Sequence, residues 1–472
     1  MFSRAPSLLP LAASLRRCFS ASASLEVGIP EPGVVSVRFP ALPRPALFHG
    51  IWLRDHCPAS HHPLTGQRTV SVQGLPLTLS PTRAFCEGGA SVCLEWPCGH
   101  RSTFSAAWLQ RYAYWWAGDS SSPGQPQQQA LPLPAGAPLT ASAWWRDAAS
   151  DTSSRSVWQA ASFPTPAALP SVPYAAFMEE GAGGGGGAPG LARALRLLRD
   201  FGFVLIQGCP ATEAATEAAC LRIGFLRPTL YGPGMWRTEV RPDPARVSDT
   251  AYTALPLPLH SDGNYLGEPP GLQVFHCTQP DASGGGDSLL LDGLALAARL
   301  AAAHPQAYRL LTIWPFPYHH TGRDGLVRAA RPVFALDASG QPAGVHLNEC
   351  DRGPVTVPPS WGRELALAQA LAGGSAAGQG LAVDPTLASP ATAIPAMYAA
   401  LQALGEGLAD PALTLRLPLR PGTLLVFNNH RVLHGRAEFN VASGRTLVGC
   451  YIGKDEWESK LREEEERESP KK

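Results

Sequence analysis

The sequence predicts a mostly β protein with flanking helices, divided into more than one domain. Three observations carry this. The chain has 472 residues, more than one ordinary domain uses. From residue 27 onward, short apolar or alternating runs such as "GVVSVRF", "SVCLEW" and "TLLVF" recur between Pro- and Gly-containing turns, the signature of strands. Helical periodicity is confined to a few segments. In "LARALRLLRDF" the side chains of Leu191, Leu195 and Leu198 share one face, and "DGLALAARLAAAHPQAYRLL" is a second clear helix.

Composition narrows the class. Hydrophobic residues make up 45% and charged residues 16%, which suits a globular chain with a sizeable core. Lys+Arg and Asp+Glu both number 38, so charge does not point to nucleic acid or to an acidic membrane surface. No run of apolar residues is long enough to predict a membrane span. The 10 cysteines are scattered without small-domain spacing and are expected as reduced thiols or metal ligands.

Taken in order, residues 1–25 hold Arg4, Arg16 and Arg17, many Ser and Ala, and no acid before Glu26. That is the composition of a transit peptide, with the mitochondrial matrix the expected destination, the chloroplast second and an inert tail the plain alternative. Residues 27–118 read as a small β-rich domain. Residues 119–189 read as a linker with the low-complexity loops "SSSPGQPQQQALPLPAGAP" and "GAGGGGGAPG". Residues 190–462 form the expected catalytic domain, interrupted by the inserted loop "LAGGSAAGQG", and 463–472 is a charged, fraying tail.

The chemistry starts at "LPLPLHSDGNYLGEPPGLQVFHC". In a strand, residues two apart point to one face, so His260 and Asp262 present a nitrogen and a carboxylate oxygen together. Such a pair alone is close to chance. Two histidines and one carboxylate on one face, however, are the facial triad of non-haem iron oxygenases. Downstream, a Pro-Gly turn leads into "TLLVFNNHRVLHGR", which contains His434, and 11 residues later Arg445 opens the strand "RTLVGCY". A distal His followed by Arg suits Fe(II) that chelates 2-oxoglutarate, with the Arg fork on the far carboxylate and one position left for O2. His434 is therefore the expected third ligand. His276 in "VFHC" is the competitor, read as a satisfied core histidine.

The chain resembles the γ-butyrobetaine and trimethyllysine dioxygenases within the taurine-dioxygenase-like group, from about residue 30 to about 462. The resemblance rests on "IWLRDHC", "WPCGH", "DTAYT", "HSDGNY", "EPPGLQVFHC", "GGDSLLLDG", "NECDR", "VFNNHRVLHGR" and "GRTLVGCY". It implies a double-stranded β-helix (jelly-roll) catalytic domain with a small zinc-binding N-terminal domain, and a homodimer. It also implies iron on His260, Asp262 and His434, 2-oxoglutarate on Arg445 and ascorbate as the reductant that sustains turnover. Tyr231, Trp236, Tyr252 and Tyr451 match an aromatic cage for a trimethylammonium group, which cannot donate a hydrogen bond and finds its best neutral partners in π-faces. Tyr231 and Trp236 stand five apart where four is expected, a departure at Trp236. Asn348 matches a substrate-side asparagine, or is a turn residue.

The zinc pattern is altered. Cys57 and His100 match its ends, and His62 stands where a third cysteine is expected; Zn(II) accepts all three. His61 or Cys98 is the candidate fourth ligand, and loss of the metal is the alternative. For the substrate, "DTAYT", "EPPGLQVFHC", "NECDR" and the presequence favour Nε-trimethyllysine, the first step of carnitine synthesis. "LPLPLHSDGNY" and "GGDSLLLDG" also resemble γ-butyrobetaine enzymes. His430 and Asn428 replace a Trp and an Asp of the family. Two readings stand outside catalysis: a trimethylammonium-binding protein on the same fold, and a structural cupin-like barrel. Neither needs the complete set of three ligands and Arg445.

Overall fold

Strands that are apolar on both sides must be covered on both sides, and the catalytic part is built that way. The computed structural model describes residues 25–40, 42–62, 67–117, 155–180, 188–230, 232–238, 256–281, 285–322, 325–337, 340–357, 361, 365, 385–440 and 445–468. The presequence, both long low-complexity breaks, the 371–380 insertion, Tyr231 and Tyr252 lie outside them.

The N-terminal part holds two three-stranded antiparallel sheets. One is β1 (Glu26–Glu31), β2 (Val34–Arg38) and β3 (Ala46–His49), followed by helix α1 (Gly50–Asp55). The other is β4 (Arg83–Glu87), β5 (Ser91–Glu95) and β6 (Arg101–Ser105), followed by α2 (Ala106–Arg111), whose first turn is capped by the Ser105 hydroxyl.

Two larger sheets follow. The six-stranded sheet has the order β7 (Ser171–Pro173), β8 (Phe203–Gln207), β18 (Thr423–Asn428), β11 (Leu272–Gln279), β20 (Thr446–Ile452), β9 (Trp236–Thr238). The four-stranded sheet has the order β10 (Leu257–His260), β19 (Val432–Arg436), β12 (Ser288–Asp292), β17 (Thr414–Leu417). The remaining strands form two hairpins, β13 (Phe316–Gly322) with β14 (Gly325–Arg331), and β15 (Phe334–Leu336) with β16 (Pro342–Val345). All pairs are antiparallel except β7–β8.

Alternation along the strands assigns the faces. Phe203 and Leu205 of β8 and Leu425 and Phe427 of β18 point inward to meet Leu290, Leu415, Leu417 and Val432 of the smaller sheet. Their neighbours Val204, Ile206, Leu424 and Val426 point outward under helices α4 (Pro189–Phe201), α5 (Glu213–Ile223) and α9 (Lys454–Glu468), next to the short α3 (Tyr174–Met178). Helix α4 follows its sequence pattern: Pro189 starts it, Leu191, Leu195 and Leu198 are buried, and Gly202 ends it at φ 77°. The outer side of the smaller sheet is covered by α6 (Gly293–Ala303), α7 (Pro305–Ile313) and α8 (Pro390–Ala409). Their core is continuous with the N-terminal part, from Trp52 and Phe104 to Leu291, Trp314 and Tyr398. No helix among the described residues is long and apolar enough to cross a membrane.

Two expectations need correction. Residues 155–180 are packed structure, with Trp158, Val172 and Phe177 buried. Arg431 holds this segment by donating to the Ser156 carbonyl (2.7 Å) while it pairs with buried Asp292 (2.9 Å). The charged C-terminus does not fray at 463. Helix α9 runs to Glu468 because Trp457, Leu461 and Glu464 form a buried stripe, and the Glu464 carboxylate accepts from the Ala188 amide (2.9 Å).

A buried charge cluster joins the N-terminal part to the rest. Asp55 accepts from Arg68 (2.7 Å), Arg352 (3.1 Å) and the Tyr398 hydroxyl (2.7 Å). Burial opposes its charge, but Arg352 and Arg68 together outweigh burial and hold its carboxyl well below the usual carboxylate range. A depressed folded-state pKa gives stability that is fully present above about 4, the unfolded Asp value, and is lost as pH falls through the folded one. Asp55→Ala is therefore expected to cost about 3–5 kcal/mol at neutral pH, the usual cost of breaking a buried pair. Urea unfolding checks this: the gap from wild type should narrow below about pH 4, and a pH-independent gap contradicts the assignment.

Candidate active site and metal centre

Cross-strand neighbours in an antiparallel pair hold their side chains together on one face. In the β10–β19 pair, His260 stands opposite His434. Their rings are 4.2 Å apart between centroids. Asp262 lies just beyond β10, in the turn rather than on the strand, so alternation alone does not aim it. The Asn429 side chain does: it accepts from the Asp262 amide (2.8 Å) and donates to the Asp262 carbonyl (3.0 Å).

The three donors converge. Asp262 Oδ1 is 3.2 Å from His260 Nε2 and 3.9 Å from His434 Nε2. These residues form the only cluster of three or more His, Cys, Asp or Glu side chains among the described residues with metal-holding geometry. The His260 Nδ1–H donates to the Pro258 carbonyl (2.8 Å), which leaves Nε2 with its lone pair toward the centre. Burial, then the neighbouring His260, lowers the His434 pKa to about 3, so its imidazole is neutral and able to ligate. Burial works against the Asp262 carboxylate, yet the His434 and His260 rings and the Tyr451 hydroxyl together hold its pKa below the ordinary range. Two imidazoles and one carboxylate on one face fit ferrous iron.

Asp262 is fixed from behind as well. Its Oδ2 accepts from Gln273 Nε2 (2.6 Å) and from the Tyr451 hydroxyl (2.7 Å). Partners of this kind orient a ligand, and their loss costs roughly 10–100-fold in metal affinity or activity. Tyr451→Phe keeps the ring and removes the hydroxyl. It is expected to raise the Fe(II) concentration for half-maximal turnover by roughly 10–100-fold. A wild-type Fe(II) dependence contradicts this role of the hydroxyl.

A solvent-open cleft surrounds the three donors. Arg445 lines it, buried, one residue ahead of β20 rather than within the strand. Its Nη2 donates to the Gly286 carbonyl (2.8 Å), and its guanidinium lies 5.3 Å from the Phe439 ring centre, which the Arg436 guanidinium also approaches, at 4.6 Å. Gly286, at φ +75°, makes room: a Cβ there would stand 2.6 Å from Arg445 Nε. Trp236 and Tyr451 also line the cleft, 5.6 Å apart between ring centres, with Phe275 5.5 Å from Trp236. Asn348 is in the wall too, its amide donating to Asp351 Oδ2 (2.8 Å).

Other sequence expectations sort as follows. His276 is satisfied, with Nδ1 on the Thr216 hydroxyl (2.8 Å) and Nε2 accepting from the Gly422 amide (3.2 Å), so it is no ligand. Asn428 and His430 shape the β18–β19 turn: the Asn428 side chain accepts from the His430 amide (2.9 Å), and the buried His430 ring meets His346 edge-on at 6.0 Å. Neither lines the cleft. Of the zinc residues, Cys57 Sγ and His100 Nε2 meet at 3.2 Å, but His62 does not join them in a metal-holding set. His61 turns its Nδ1 to the Cys57 carbonyl (3.1 Å), and Cys98 is exposed. Among the described residues, Cys57 and His100 are thus the two zinc candidates whose donor atoms are in contact.

The sequence model of the family described as "Taurine catabolism dioxygenase TauD, TfdA family" matches residues 187–451. The chain belongs to the TauD/TfdA family. It is thereby a 2-oxoglutarate-dependent dioxygenase. The match spans the four-stranded sheet, the six-stranded sheet apart from β7 and the last residue of β20, and every described residue of the cleft except Gln67. This TauD/TfdA chain is 28% identical over 417 residues to the γ-butyrobetaine dioxygenase of Pseudomonas sp. (strain AK-1), covering 88% of this chain and 89% of that one. It is 28% identical over 411 residues to the mitochondrial trimethyllysine dioxygenase of Rattus norvegicus, covering 87% and 80%. Among solved structures, PvcB, an Fe, α-ketoglutarate-dependent oxygenase of an isonitrile synthetic pathway, aligns with a TM-score of 0.36 at 20% identity, covering 55% and 79%.

Proposed function

We propose that the protein hydroxylates a trimethylammonium amino acid, Nε-trimethyllysine, at the expense of 2-oxoglutarate and dioxygen. The observation that carries the reading is one cleft that joins a facial His260–Asp262–His434 set, a buried Arg445 and the Trp236–Tyr451–Phe275 aromatic group. His260, Asp262 and His434 hold Fe(II), which when bound supplies dioxygen activation coupled to decarboxylation of 2-oxoglutarate. Arg445 grips the far carboxylate of the keto acid. The aromatic rings accept the trimethylammonium group, with Tyr231 and Tyr252 completing the cage in the sequence reading. The paired sheets form the double-stranded β-helix, and the arginine-containing presequence directs the chain to mitochondria, in keeping with the compartment in the rat relative's name. Ascorbate keeps the iron ferrous. γ-Butyrobetaine is the second reading, favoured by the Pseudomonas relative.

A paired turnover assay tests the choice. The protein without its presequence receives Fe(II), ascorbate, 2-oxoglutarate, oxygen and one of the two substrates, and mass spectrometry follows one added oxygen. Oxygen mainly on trimethyllysine is expected; oxygen mainly on γ-butyrobetaine overturns the substrate assignment and leaves the reaction class intact.

A further inference from the structure

The loop that follows Asp262 is held by the β13–β14 hairpin, which supplies neither an iron ligand nor Arg445. The chain turns tightly there, with the Leu266 amide donating to the Gly263 carbonyl (2.9 Å). The carbonyls that follow need donors from elsewhere. Arg331, the last residue of β14, supplies them. Its Nε donates to the Asn264 carbonyl (2.9 Å), and its Nη2 to the Leu266 carbonyl and, at 3.4 Å, to the Gly267 carbonyl. Arg331 is buried, and burial lowers its pKa to about 10, so it remains a cation at neutral pH. Hydrogen bonds from a charged donor are roughly twice as strong as neutral ones. The other strand of the hairpin makes a second contact: the His320 ring lies 5.2 Å from the Tyr265 ring between centres. The hairpin is itself anchored. The Tyr318 hydroxyl donates to the His346 carbonyl (2.9 Å) and the His319 amide to the Asp351 carbonyl (2.9 Å). On the side toward the iron ligands, Asn264 Nδ2 donates to the Ser261 carbonyl (2.8 Å). Between these ties stand Tyr265 and Leu266, and both line the cleft.

We propose that Arg331 is a positioning residue for the organic substrate: through the 264–267 loop it holds Tyr265 and Leu266 as the wall against which the substrate's carbon chain packs. The inference rests on the trimethylammonium reading above and deepens it. A ring and an aliphatic side chain offer no cation to a dicarboxylate, whose partner is Arg445. They suit the methylene chain of an amine, as the apolar lining of a small-molecule site does in general. A loop fixed in advance spares the substrate the entropy of ordering it. Without the guanidinium, three carbonyls lose this donor, the loop loosens, and the cost of ordering it falls on amine binding.

The test compares wild type with Arg331→Met, Arg331→Lys and His320→Ala, using Nε-trimethyllysine and, separately, γ-butyrobetaine as probes. KM for the amine, KM for 2-oxoglutarate and the Fe(II) dependence are measured from hydroxylated product. Calorimetry gives amine binding to the anaerobic Fe(II)–2-oxoglutarate protein. Arg331→Met should raise KM and the dissociation constant for the amine roughly 10-fold, and leave the 2-oxoglutarate KM and the Fe(II) dependence unchanged. Arg331→Lys keeps the charge but reaches fewer carbonyls, and should fall between. His320→Ala should shift the amine in the same direction by less. A fall in kcat with both KM values unchanged is what loss of folded protein alone produces, and it overturns the inference. So does an equal rise in both KM values, or an effect confined to Fe(II) or 2-oxoglutarate. If Arg331→Met does not fold, Arg331→Lys and His320→Ala decide, and an unchanged amine KM in both overturns it. The same split with γ-butyrobetaine as the one compound turned over keeps the inference and overturns the choice of trimethyllysine. Binding of neither compound by wild type overturns both the inference and the trimethylammonium reading.

Discussion

Asp262→Ala and His434→Ala are each expected to abolish formation of succinate and of hydroxylated product. The loss should exceed the roughly 10–100-fold that removal of an outer partner costs, because a ligand itself is gone. The geometry says why no neighbour substitutes. Asp262 Oδ1 is the atom that faces both imidazoles, while Gln273 and Tyr451 occupy Oδ2 and offer no second carboxylate. The His434 ring packs against Phe427 at 5.0 Å and Phe275 at 5.6 Å, so its replacement by Ala leaves a gap beside two side chains that cannot ligate. Fe(II) titration with both products followed by mass spectrometry checks this. Near-normal turnover by either variant contradicts the ligand assignment.

Arg445→Ala should raise KM for 2-oxoglutarate by roughly 10- to 100-fold, the worth of a charge-assisted bond lost from a buried anion. KM for the amine should move far less. The side chain is aligned on three sides, by the Gly286 carbonyl, the Gly286 Cα face that admits it and the Phe439 ring. Gly286→Ala provides an independent check, since its Cβ would collide with Arg445 Nε and its φ of +75° strains any side chain. It should raise the same KM without touching the amine cage. Steady-state kinetics with each cosubstrate varied separates the two effects. If Arg445→Ala leaves the 2-oxoglutarate KM unchanged and weakens the amine instead, the guanidinium belongs to the substrate side.

Much of the site was legible because its residues sit in short local patterns. The two-residue spacing of His260 and Asp262 and the 11-residue spacing from His434 to Arg445 need no tertiary information. The supporting residues left weaker traces. Gln273 is a lone amide inside the apolar run "LQVF", which a strand buried on both faces tolerates only if the amide has a partner. Asn429 sits in the turn "FNNHR", where asparagine has a backbone explanation of its own. Arg331 left none, because its meeting with the loop after Asp262 depends on how the β13–β14 hairpin packs. Of the zinc candidates, the described residues bring Cys57 and His100 together, a contact across 43 residues that spacing along the chain does not announce. The docked helix α9 was readable in hindsight. Trp457, Leu461 and Glu464 follow a helical stripe that its many charges obscure.

The most direct test of the account is a single turnover experiment under ¹⁸O-labelled dioxygen with Nε-trimethyllysine and 2-oxoglutarate. A 2-oxoglutarate dioxygenase places one atom of O2 in succinate and the other in the new hydroxyl. The account predicts one label in each product and equal amounts of the two. Succinate formed at the same rate whether or not the trimethylated substrate is present, with no labelled hydroxyl, would contradict it.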